Sequence, residues 1–94
     1  MKKYIIERML PGAGRLSAAE LKHIAQKSLE VIDELEAPYH WIETYVTENK
    51  LYCIHIAPDF ETVLEHARKG GFPADSIAEV RYIMDPTTSA IKVS

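Results

Sequence analysis

The chain has 94 residues, a formal net charge of -3, 47% hydrophobic and 27% charged residues. This is the composition of one ordinary globular domain, small enough that burying surface against a second copy would help it. An acidic balance with no long basic run excludes a nucleic-acid footprint, and no stretch approaches the roughly 20 apolar residues that cross a bilayer.

The first element is a β-prone run, Lys3 to Arg8, with Tyr4 and Ile6 on one side and Ile5 and Glu7 on the other. Pro11, Gly12 and Gly14 break it. Ser17 and Glu20 then have capping-box spacing, and Leu21, Ile24, Ala25, Ser28, Leu29, Ile32 and Leu35 recur at helical spacing. Together they predict an amphipathic helix from about residue 18 to 35, ended by Pro38.

A hairpin follows from Tyr39 to Ala57, turning at Thr47-Glu48-Asn49-Lys50. With Glu48 to Lys50 as the loop, Thr47 faces Leu51. Ile42, Thr44 and Val46 then share a face with Tyr52, Ile54 and Ile56. Trp41, Glu43, Tyr45, Cys53 and His55 occupy the other face, because side chains alternate along a strand. The aliphatic face is expected under helices, and the aromatic, titratable face is expected to be open. That register sets Glu43 opposite His55, and a slip of one residue would separate them.

Asp59 can cap a second helix whose apolar stripe is Phe60, Val63, Leu64 and Ala67, with Arg68 and Lys69 in its last turn and Gly70 as its end. A strand is expected from Glu79 to Met84, ended by Asp85-Pro86. The order β-α-β-β-α-β predicts an α+β, ferredoxin-like fold over residues 1–88: an antiparallel sheet with two helices on one face. Residues 89–94 form a tail or short edge strand. Pairing of the other face in a homodimer would bury its aromatic residues.

The candidate chemistry clusters on the hairpin. Glu43, Cys53 and His55 supply carboxylate, thiolate and imidazole, a set that suits nickel, copper or zinc. Cys53 as a small core residue and His55 as a hydrogen-bonding interface residue explain the same pair more simply. Glu7 and Arg81 could join them around Trp41 and Tyr45. The result would be a pocket in which His55 acts as base and Arg81 holds an anion, or merely an ion pair between Glu7 and Arg81. His23 and His66 are further surface candidates for metal, with His40 weaker. No phosphate loop, GxSxG, CxxC or HExxH occurs. The single cysteine fits a reducing compartment, and the start Met1-Lys2-Lys3 lacks an apolar leader, so a cytoplasmic protein is expected.

Several ordered blocks carry a family likeness: Lys3-Tyr4-Ile5-Ile6-Glu7-Arg8, Trp41 with Tyr45-Val46-Thr47, Lys50 to Pro58, Glu65 to Ala74, and Glu79-Val80-Arg81 with Asp85-Pro86-Thr87. Over about residues 1–88 the chain resembles a small bacterial ferredoxin-like domain-of-unknown-function family, one branch of which is nickel-binding and dimeric. The resemblance implies nickel as cofactor or cargo, a second copy as partner, and a role in metal sequestration or detoxification. It does not match each nickel ligand to a position, so His55, His66, Glu43 and Cys53 stand as metal candidates. The alternative is a small-molecule enzyme or binding module, with Trp41, Tyr45, Arg81 and Glu7 around a pocket between the sheet and its partner.

Overall fold

A computed structural model describes residues 1–93. Strand β1 (Lys2–Met9) leads through a single 3-10 turn to helix α1 (Ala18–Glu34), then to strands β2 (His40–Val46) and β3 (Lys50–Ala57), helix α2 (Phe60–Gly70) and strand β4 (Ser76–Glu79). The sheet order is β2-β3-β1-β4, with every neighbouring pair antiparallel. This is the expected βαββαβ arrangement.

Local chemistry accounts for both helices. At α1 the capping box closes as predicted: Ser17 Oγ accepts from the Glu20 amide at 3.1 Å, and the Glu20 carboxylate accepts from the Ser17 amide at 3.0 Å. At α2 the Asp59 carboxylate accepts from the Thr62 amide at 2.8 Å. The helix ends one residue later than expected, on Gly71 with φ 68°, a conformation that glycine adopts without a Cβ penalty. Gly70 has its own reason to be glycine. A Cβ there would run into the Phe72 ring, which folds back over the last turn.

Two parts of the sheet differ from the sequence expectation. Thr47 bonds Lys50 across the turn, so the hairpin loop is the two residues Glu48 and Asn49, and the register shifts at a bulge between Trp41 and Glu43. Strand β4 lies earlier than Glu79 to Met84, because Ile77 pairs with Ile6 and Glu79 already pairs with Tyr4. Val80 makes one more bond, to the Lys3 carbonyl at 2.8 Å. Beyond that point the pairing with β1 stops. Tyr82, Ile83 and Met84 are therefore 89%, 72% and 84% exposed. The tail forms a 3-10 turn over Pro86–Ala90 rather than an edge strand. The radius of gyration is 15.1 Å, against about 12 Å for a compact chain of this length, because this segment projects.

The core lies between the helices and one sheet face. Tyr4, Ile6, Leu51, Cys53, Ala57 and Val63 are buried there with Tyr39. The face without helices carries Ile5 and Met9 exposed, and Tyr52, Ile54 and Ile56 half-buried. The expectation for β3 is thus reversed. Its Cys53 and His55 side is the covered one, and its aliphatic side is open. Among the described residues no helix is long and apolar enough to cross a membrane.

Candidate functional site

Alternation along β1 and β3 sends three reactive side chains under the helices: Arg8, Cys53 and His55, which are 3%, 6% and 2% exposed. Helix α2 adds His66, one turn after Val63 on its buried stripe, and α1 adds Ser28. With Leu21, Ile24 and Ala25 of α1, Trp41, Thr44 and Val46 of β2, and Leu51 and Phe72, they enclose a cavity of about 290 Å³. Leu21 and Val46 are its most exposed lining residues, so the cavity opens between α1 and the edge strand β2.

The histidines form one aromatic stack with Tyr39 and Phe72. The His66 ring stacks on Tyr39 at 4.9 Å and on Phe72 at 5.5 Å, and meets the His55 ring edge-on at 5.1 Å. The Tyr39 hydroxyl is hydrogen-bonded to His55 Nδ1, and Ser28 Oγ lies 3.1 Å from His66 Nε2. His66 Nδ1 is buried with no hydrogen-bond partner among the described residues. Burial, with help from His66 and Arg8, pushes the His55 pKa down to about 3. Burial and Arg8 push His66 down to about 4, against a smaller opposing effect of Ser28. Burial pushes the Tyr39 hydroxyl upward. Near neutral pH both imidazoles are uncharged and the phenol keeps its proton.

A second chain of hydrogen bonds runs beside the first. Trp41 Nε1 donates to Thr44 Oγ1 at 2.9 Å, Thr44 donates to Cys53 Sγ at 3.2 Å, and Arg8 Nε donates to the same sulfur at 3.4 Å. Another Arg8 nitrogen donates to the Pro73 carbonyl, and the guanidinium lies 5.5 Å from the Phe72 ring centre. The ion pairs among the described residues involve Lys2, Lys50, Arg68 and Arg81, not Arg8. A buried cation with no carboxylate beside it is costly, so this charge shapes whatever enters the cavity.

The sequence-predicted site is divided by the sheet. Glu43 pairs with Ile54, and Tyr45 with Tyr52, which puts both on the open face, opposite to His55 and Cys53. The proposed facing of Glu43 and His55 is therefore corrected: the shorter loop alone shifts β2 by one residue and turns Glu43 to the open face, and the bulge before Glu43 then shifts Trp41 and His40 by one more, which sets Trp41 opposite His55. Glu43 instead acts on the Tyr45 hydroxyl, whose pKa it raises. Glu7 is also on the open face, with its carboxylate 2.6 Å from Lys50 Nζ rather than on Arg81. Arg81 lies beyond β4, exposed and 4.0 Å from Glu79. His66 is buried at 1%, not a surface histidine. Trp41 and His55 do line a pocket, but under the helices rather than above the sheet, and without Glu43, Tyr45 or Arg81.

Among the described residues no three His, Cys, Asp or Glu side chains are grouped to hold a metal ion. His55, His66 and Cys53 share the cavity, yet the Arg8 guanidinium on Cys53 would repel a dication there. The cavity donors do not fit nickel. Two cavity residues, one passed over by the sequence reading and one placed by it on the surface, had readable signals. Arg8 continues the Tyr4, Ile6 alternation onto the core face, and His66 stands three residues after Val63. Nothing local marks Tyr39, whose ring packs on His55 of β3 and His66 of α2.

The family model described as nickel responsive protein SCO4226-like matches residues 4–80. The crystal structure of SCO4226 from Streptomyces coelicolor A3(2) superposes with a TM-score of 0.74 at 20% identity, covering 87% of this chain and 99% of that one. At that identity the likeness speaks for the fold. No curated protein matches the chain.

Proposed function

This chain belongs to the nickel responsive SCO4226-like family, and from that premise we propose that it binds nickel as a homodimer, holding the ion rather than transforming a substrate. The observation that supports this most is the β2 bulge. His40 pairs with Ile56 and Glu43 with Ile54, so the extra residue brings a histidine and a carboxylate onto the same open face. Divalent nickel takes imidazole nitrogen and carboxylate oxygen readily. One copy supplies two such groups, and a two-fold partner doubles them, which answers the want of a three-ligand set among the described residues of one chain. Two apolar features favour that partner: the open sheet face, and the Tyr82-Ile83-Met84 segment, whose backbone has no neighbouring strand among the described residues.

Of the candidates on the hairpin and α2, Glu43 keeps its role in this reading, while His55, His66 and Cys53 belong to the cavity. Calorimetry of tag-free protein with nickel, alongside sedimentation, tests it. We expect saturable binding by a dimer, weakened at least tenfold by His40→Ala and by Glu43→Gln, with His55→Phe unchanged. Binding that survives both open-face changes but vanishes in His55→Phe would return the metal to the covered side and end this proposal.

A further inference from the structure

We propose that the cavity beneath α1 is a separate binding site for a small amphipathic carboxylate, its acid group on Arg8 and its apolar body along α1, Trp41 and Leu51. Three observations converge. The lining is largely apolar, with Leu21, Ile24, Ala25 and Val46 around the mouth and Leu51 and Phe72 within. The one full charge among the lining residues is the Arg8 guanidinium, 3% exposed and without a carboxylate partner among the described residues. His66, another lining residue, has a buried Nδ1 that nothing among the described residues satisfies.

Each observation limits the ligand. A planar guanidinium matches a carboxylate in geometry as well as charge, and a low-dielectric lining strengthens that pairing while disfavouring a cation. The apolar walls ask for a hydrocarbon or aromatic body. A volume of about 290 Å³ holds roughly ten groups of water size, which sets the ligand near that many non-hydrogen atoms. The free imidazole nitrogen offers one neutral hydrogen bond, to the acid group or to a hydroxyl on the body. This site does not depend on the nickel reading. It faces the other side of the sheet and uses neither His40 nor Glu43.

Trp41 is the chain's single tryptophan and lines the cavity, so its fluorescence reports on occupancy without a label. Octanoate, octanol and octylamine serve as probes of matched length and different charge, titrated into the full chain in chelator-treated buffer. We expect octanoate to bind saturably and at least tenfold more tightly than octanol, with octylamine weakest. Arg8→Gln should erase the preference for octanoate and leave octanol within threefold, and Ala25→Phe should fill the space and abolish both responses. Should Arg8→Gln not fold, the ranking of the three probes on the unaltered chain decides alone. Equal affinity for octanoate and octanol would overturn the proposal, because the Arg8 charge would then be met from within the protein. So would the absence of any saturable response, or a response undiminished by Ala25→Phe.

Discussion

The two faces of the sheet are built from alternate residues of the same strands, yet they hold opposite chemistry. On β3, Cys53 and His55 go under the helices, where burial keeps the imidazole neutral and an arginine donates to the sulfur. Tyr52 and Ile54, their immediate neighbours, face outward toward Tyr45 and Glu43. The covered face has a cation and neutral bases in an apolar space, which suits an organic anion. The open face has carboxylates and a histidine in reach of water, which suits a metal ion. A residue's value as a ligand therefore depends on its side of the sheet more than on its type.

Acid should separate the faces most strongly. Both buried histidines have pKa values below the ordinary 6.5, at about 3 and about 4, so the unfolded chain binds more protons than the folded one as pH falls. The stability they contribute is complete above about pH 6.5 and is lost as pH falls toward 4 and then 3, a loss on the order of several kcal/mol. Urea denaturation at pH 7.5, 5.5 and 4.5 checks this, and a flat profile across that interval would contradict the buried, neutral pair.

Adjacent isoleucines of β1 offer the next contrast. Ile6 is fully buried and Ile5 is 39% exposed. Ile6→Ala should cost about 2–5 kcal/mol through the cavity it leaves, and Ile5→Ala under about 1 kcal/mol in the monomer. If the open face pairs with a second copy, Ile5→Ala acquires a dependence on protein concentration, visible as a melting temperature that falls on dilution. At the end of α2, Gly71→Ala should cost about 1 kcal/mol, since φ is 68° there and a Cβ meets no neighbour to relieve or worsen the strain. The smallest effect is expected from Glu7→Gln. It breaks the bond to Lys50 on the open face, where both side chains are about a third exposed, so solvent screening leaves only a small shift in thermal melts.

The helices, their caps and the order of elements were legible in the residues because each rests on bonds spanning three or four positions. Ser17 with Glu20 and Asp59 with Thr62 are complete signals in themselves. The family was legible too, in blocks that run through the region matched by the family model. The hairpin was visible, but its face assignment was not. A two-residue loop and the bulge between Trp41 and Glu43 are both single-residue choices, and each changes the parity of everything upstream on β2.

What the chain determines by itself is thus the set of elements and their sequence, through local hydrogen bonds and the period of its apolar residues. Which face of β3 lies under the helices was decided only when it paired with β1, where Cys53 fell opposite Ile6 and Tyr52 opposite Glu7. That long-range register buried Arg8, drew His66 and Tyr39 around His55, and left Glu43 on the far side. Strand alternation carries no label for inside or outside until a second strand and a helix supply one.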